Sequence, residues 1–149
     1  MRIRALLMIA AATAATAGCG NGDPAIPMTQ AATATTAPAG EATGPDLSAE
    51  TFTDLTGEST VDVQARDNSF VEPYIEVSAG TQVDFTNKGR NQHNVIPTTD
   101  GAFAEIPVED FQPKDEGSIT FALPGDYTYY CSLHGTPTKG MIGAIRVLQ

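Results

Sequence analysis

From Ser59 to the last residue, apolar and polar side chains alternate in short runs that stop at glycine and proline, and this period of two constrains the fold most. Val61-Asp62-Val63-Gln64-Ala65, Tyr74-Ile75-Glu76-Val77, Gln82-Val83-Asp84-Phe85-Thr86, Ser118-Ile119-Thr120-Phe121-Ala122-Leu123 and Tyr127-Thr128-Tyr129-Tyr130 each read as a strand, and Ile142 to Leu148 closes the chain. Ala79-Gly80-Thr81, Asn87-Lys88-Gly89 and Pro124-Gly125-Asp126 supply turns between them. No stretch keeps a helical period over more than two turns. A strand with one apolar face must bury it against other strands, so the pattern predicts an all-β domain over 59–149, an antiparallel sandwich or barrel.

Upstream the composition changes. Arg2 and Arg4 precede an apolar run from Ala5 to Ala17, the charged head and short apolar core of an export signal, too short to span a bilayer. It closes on Thr16-Ala17-Gly18-Cys19, which resembles the lipobox of bacterial lipoproteins, with Thr16 standing where a leucine is usual. The resemblance implies a signal peptide over 1–18, cut before Cys19, and a lipidated Cys19 that anchors the chain to the outer face of the cell membrane or in the periplasm. Secretion with an incidental Cys19 is the other reading. More than one acyl chain would hold stably, since each buried methylene contributes about 0.8 kcal/mol. Ala, Thr, Pro and Gly fill 25 of the 39 positions from 20 to 58 without apolar periodicity, so 19–58 is predicted to be a flexible linker behind the lipidated Cys. A coil of that length spans about 35 Å on average.

Charge and residue counts narrow the function. Eight Lys and Arg against 18 Asp and Glu give a net charge of −10, which would repel a phosphate backbone, so no nucleic acid partner is expected. Two Cys and two His exclude a four-cysteine zinc site and a disulfide-dense scaffold. Both histidines, the one cysteine of the head and a methionine nevertheless fall in two short windows: His93 in Asn91-Gln92-His93-Asn94-Val95, and Cys131-Ser132-Leu133-His134 followed by Met141. A thiolate, two imidazoles and a weak thioether are the donor set of blue copper sites, since soft sulfur favours Cu(I) and imidazole holds both oxidation states. Singly, each has an ordinary reading: a buried thiol, surface imidazoles, a methionine filling the core. A disulfide between Cys19 and Cys131 is a further alternative in an exported chain. The clustering of all four favours the ligand reading.

The head resembles the cupredoxins, the plastocyanin and pseudoazurin family of blue copper proteins, over about residues 60–149. The likeness is carried by Asn68-Ser69-Phe70-Val71-Glu72-Pro73-Tyr74-Ile75-Glu76-Val77-Ser78-Ala79-Gly80-Thr81, Val83-Asp84-Phe85-Thr86-Asn87, His93-Asn94-Val95, Gly125-Asp126-Tyr127-Thr128-Tyr129-Tyr130-Cys131 and the ending from Gly140-Met141. It implies a Greek-key β-sandwich holding one type 1 copper ion on His93, Cys131, His134 and Met141. Asn94 and Ser132 are implied to tie the two ligand loops together. Six residues separate His134 from Met141, more than is usual in the family, which makes Met141 the least secure ligand.

The resemblance further implies a monomeric one-electron carrier, not an enzyme, working between redox protein partners such as a cytochrome, oxidase or reductase. Partners would dock at the exposed second histidine, with Leu133, Pro137, Ile96 and Pro97 as a candidate apolar patch and Lys88, Arg90 and Lys139 as candidate steering charges. The alternative is a lipoprotein that stores, buffers or delivers copper without redox turnover. Copper oxidases and nitrite reductases of related fold need additional histidines for a second copper centre, and this chain has two in all.

Overall fold

The computed structural model describes residues 32–34 and 44–149. The signal segment, Cys19 and most of the linker lie outside the described residues. No helix among the described residues is long and apolar enough to cross a membrane.

The strands are β1 (Ala32–Ala34), β2 (Thr53–Asp54), β3 (Thr60–Arg66), β4 (Ser69–Val71), β5 (Tyr74–Ser78), β6 (Thr81–Asn87), β7 (Ile96–Pro97), β8 (Glu116–Phe121), β9 (Gly125–Thr136) and β10 (Lys139–Leu148), with one 3-10 turn at Val108–Asp110. They form two five-stranded sheets in the orders β1-β8-β6-β3-β4 and β2-β5-β10-β9-β7. The all-β sandwich is as the alternation predicted. The ladders, however, are mixed: β6–β8 and β9–β10 run antiparallel, whereas β3–β6 and β5–β10 run parallel. Alternation reports which face a side chain takes and carries nothing about strand direction, which explains the difference from an antiparallel expectation. From β4 to β9 each successive strand lies in the opposite sheet, so neighbours within a sheet are distant in sequence.

The apolar members of the alternating runs meet between the sheets. Val61, Val63 and Ala65 of β3, Val83 and Phe85 of β6, Ile119 and Phe121 of β8, and Tyr127 and Tyr129 of β9 are all buried. Phe70, Phe85 and Tyr129 contact one another edge to face, with centroids 5.0–6.5 Å apart. Burial of two phenols demands partners: the Tyr127 hydroxyl donates to the Leu123 carbonyl at 2.9 Å and that of Tyr129 to the Pro73 carbonyl at 3.4 Å.

Residues 44–58, assigned to the linker from composition, carry structure. Strand β2 pairs with β5 at Thr53↔Ile75 and Asp54↔Glu76, and Leu55 packs on the core. Phe52 lies against Tyr74 and under the Arg146 guanidinium, 4.0 Å from its ring centroid, while Arg146 bonds Asp126 through two nitrogens. Averaged into the Ala, Thr, Pro and Gly of the whole 20–58 stretch, these two apolar anchors show no periodicity. Further upstream, β1 pairs with β8 in parallel.

Candidate metal centre

Two strand junctions at one end of the sandwich bring the candidate ligands together. His93 follows the loop that leaves β6, and its N–H donates to the Phe111 carbonyl at 3.2 Å. Val95 then exchanges two hydrogen bonds with Ile106, and β7 pairs with β9 at Ile96↔Tyr130 and Pro97↔Tyr129. Proline is tolerated in β7 because this strand is an edge of its sheet and needs no second ladder bond. The pairing at Tyr130 sets His93 beside Cys131, the next residue of β9.

The other candidate ligands come from an irregularity in the β9–β10 ladder. Gly140 pairs with Gly135 and Ile142 with Tyr130, so Met141 alone on β10 faces Cys131, Ser132, Leu133 and His134 on β9. An excess of this kind bends a strand locally, and here the Cys131 sulfur and the His134 ring, three residues apart, come within 3.5 Å of each other. The six residues after His134 continue both strands as a hairpin, with Thr136 paired to Lys139. Gly135 and Gly140 carry this arrangement, and reading the sequence for side-chain chemistry passed over them. A Cβ on Gly135 would lie 2.7 Å from the Met141 nitrogen, and one on Gly140 2.6 Å from the His134 carbonyl oxygen. Gly140 also has φ +87°, a conformation side-chain-bearing residues seldom adopt.

The resulting geometry is compact. The Cys131 Sγ lies 3.7 Å from His93 Nδ1 and 3.5 Å from His134 Nδ1, and the three ligand atoms all lie within 4.8 Å of one another. His93 and Cys131 are fully buried and Met141 is 1% exposed, whereas His134 is half-buried. Burial and the neighbouring His134 hold the His93 pKa below its ordinary value, which favours the neutral, metal-binding imidazole. Asn94 and Ser132 are joined by two bonds: the Asn94 amide donates to Ser132 Oγ at 2.9 Å and its oxygen accepts the Ser132 N–H at 2.9 Å. The two ligand segments are thus joined by a closed pair of bonds.

These donors fit a metal ion. Metal–nitrogen and metal–sulfur bonds of about 2.0–2.3 Å at tetrahedral to trigonal angles separate nitrogen from sulfur by roughly 3.5–3.8 Å. The observed 3.5 and 3.7 Å match that spacing. Two imidazoles and a thiolate with a thioether close by are the donors that suit copper in both oxidation states.

Around the site, Leu133 is 45% exposed, and Ile96, Pro97 and Pro137 are half-buried. Lys88, Arg90 and Lys139 are exposed, and Arg90 lies 3.8 Å from Asp67.

Residues 57–148 match the family described as copper binding proteins of the plastocyanin/azurin family. The chain is 37% identical over 76 residues to chloroplastic plastocyanin of Physcomitrium patens, covering 46% of this chain and 45% of that protein. It is 33% identical over 88 residues to plastocyanin of Solanum crispum, covering 53% of this chain and 87% of that protein. Among solved structures, the Cu-containing nitrite reductase of Thermus scotoductus SA-01 superposes with TM-score 0.52 at 30% identity, over 60% of this chain and 22% of the reductase. A variant of amicyanin in the Cu(I) form shares the fold, with TM-score 0.52 at 24% identity over 60% of this chain and 83% of amicyanin. With its buried N, N, S cluster and a family match from residue 57 to 148, the chain belongs to the plastocyanin/azurin family of copper binding proteins.

Proposed function

We propose that the protein is an exported one-electron carrier, lipid-anchored through Cys19, with copper held by His93, Cys131, His134 and Met141. The observation that carries the reading is the convergence of two Nδ1 atoms on one buried thiol, at 3.7 and 3.5 Å. Copper in such a site exchanges single electrons between Cu(I) and Cu(II). The chain's part is to keep the donors in place. His93 and Cys131 exclude water by complete burial, and the Asn94–Ser132 tie fixes the distance between their segments. Donors already gathered at ligand distances rearrange little on redox change. His134 is the ligand a partner can approach, being half-buried next to the exposed Leu133. Redox proteins, the partners that such a carrier needs, would dock on this end, and a monomer suffices for the task.

Catalysis is not part of the proposal. Both histidines of the chain are in one cluster, and none remains for a second copper centre. The nitrite reductase similarity covers 22% of that protein, a piece of it rather than the whole enzyme.

Cu(II) titration of the protein, followed by visible absorption and stepwise reduction, tests the reading. An intense thiolate-to-copper band that is lost in Cys131→Ser and that bleaches and returns over reduction cycles is expected. Copper binding without that band, or with a band that reduction destroys irreversibly, would refute electron transfer and favour copper storage or delivery. Mass spectrometry of membrane-extracted protein tests the anchor: an acylated Cys19 at the N-terminus is expected, and an unmodified one refutes it.

A further inference from the structure

A buried metal-binding imidazole is ordinarily oriented by a hydrogen bond from its other ring nitrogen to a carboxylate, carbonyl or water. No protein group among the described residues makes such a bond to His93. Its Nε2 is buried without a hydrogen-bond partner among the described residues, while Nδ1 faces the Cys131 sulfur. Among protein groups, the ring's placement then rests on the backbone that carries it.

That backbone is fastened by Asn87, the last residue of β6. Asn87 is fully buried, yet both polar atoms of its side chain are hydrogen-bonded. The Nδ2 group donates to the Asn91 carbonyl at 2.8 Å and to the Phe111 carbonyl at 3.0 Å, and Oδ1 accepts the Gly89 N–H at 3.0 Å. The Asn87 backbone adds two bonds, its N–H to the Asp115 carbonyl and its carbonyl from the Lys114 N–H, both at 2.9 Å. Two of these contacts bear directly on His93. Asn91 precedes it by two residues, and the Phe111 carbonyl also accepts the His93 N–H at 3.2 Å. One side chain therefore pins the loop entering His93 and also the acceptor that holds His93 itself.

We propose that Asn87 is the positioning residue for His93, setting from the backbone the imidazole orientation that a bond to Nε2 would otherwise set. The proposal rests on the reading of His93 as a copper ligand, although the clamp exists without metal. Neither aspartate nor glutamine replaces it: an ionised aspartate has no donor for the two carbonyls, and glutamine is one methylene too long for the Gly89 turn.

The test uses Asn87→Ala and Asn87→Ser, the latter keeping a hydroxyl that can accept from Gly89 while losing both amide N–H donors and the reach to the Asn91 and Phe111 carbonyls, with Val77→Ala as a control for lost core stability. In metal-free protein, hydrogen exchange of the His93 amide is expected to quicken about tenfold or more in both Asn87 variants relative to the core amides, as two bonds are lost. After Cu(II) loading, both variants are expected to shift the thiolate-to-copper band and the reduction potential, and Val77→Ala to shift neither. Asn87 variants that lower the melting temperature but leave His93 exchange, band and potential as in the parent would overturn the proposal. A parent protein with no thiolate band would refute the copper reading alone, since the exchange measurement stands without metal. Should Asn87→Ala not fold, Asn87→Ser decides.

Discussion

Gly140→Ala should disturb both the fold and the site, and the size of each effect can be worked from the structure. The residue sits at φ +87°, which costs a side-chain-bearing residue about 1–2 kcal/mol. Its new Cβ would lie 2.6 Å from the His134 carbonyl oxygen and 2.9 Å from the Gly135 Cα, both backbone atoms that cannot swing aside. Such overpacking adds about 1–3 kcal/mol. Together these predict a loss of about 2–5 kcal/mol, a large share of the roughly 5–15 kcal/mol that holds a typical domain folded. Gly80→Ala separates the two contributions, because Gly80 has φ +93° and a Cβ added there would meet nothing within 4 Å. Its loss should stay near the strain alone, about 1–2 kcal/mol. Urea unfolding of the metal-free proteins reads the difference, with midpoints lowered by about 1.3–5 M for Gly140→Ala and about 0.7–2 M for Gly80→Ala at a slope of roughly 1–1.5 kcal/mol/M. After copper loading, only Gly140→Ala should alter the visible spectrum, since its clash pushes on His134 and Met141. Equal midpoints for the two variants, or an unchanged spectrum in Gly140→Ala, would refute the claim that the paired glycines hold the ligand bulge.

Asn94→Ala removes both 2.9 Å bonds to Ser132 and should cost about 1–3 kcal/mol in denaturant unfolding while shifting the copper absorption band. Phe52→Ala removes the ring beneath Arg146 and should lower stability by about 1–2 kcal/mol with the reduction potential unchanged, because this contact lies away from the ligands. Arg146→Ala should cost less than the sum of its contacts suggests, about 1 kcal/mol, since its ion pair with Asp126 is partly exposed; guanidinium denaturation gives the value. Deleting residues 1–58 should yield a head that binds copper yet melts below one beginning at residue 44, and equal melting temperatures would show that β2, Phe52 and Leu55 contribute nothing.

The fold was legible wherever burial has a period. Val61, Val63 and Ala65 announced β3, and Val83 and Phe85 announced β6, because an inner face must be apolar and an outer one need not be. The donor cluster was legible because Cys and His are scarce here, so their nearness in two windows carried weight. Three features were not legible. Strand direction leaves no trace in alternation, which hid the parallel β3–β6 and β5–β10 ladders. The Phe52 and Leu55 anchors were diluted by the Ala, Thr, Pro and Gly of the wider 20–58 stretch. The hairpin past His134 was hidden because Gly135, Thr136, Pro137 and Lys139 read as loop by composition, although Pro137 and Thr138 form its two-residue connection and the flanking residues pair.

That hairpin explains how a rigid sandwich can hold donors of unlike exposure. A regular ladder places one residue opposite one, and neighbours on a strand then face opposite sides of the sheet. Under that rule Cys131 and His134, an odd number of steps apart, could not both turn toward one point inside the sandwich. The three extra residues of β9 opposite Met141 break the rule locally, while Ile142↔Tyr130 on one side and Gly140↔Gly135 on the other restore it at once. The irregularity is thereby confined between two intact stretches of ladder, one rooted in the core and one standing beyond it. Cys131 remains at the core end and is fully buried; His134 falls at the outer end and is half-buried. Protection of the sulfur and access to one imidazole thus follow from the same slip in register, and a change that regularised the ladder would lose both together.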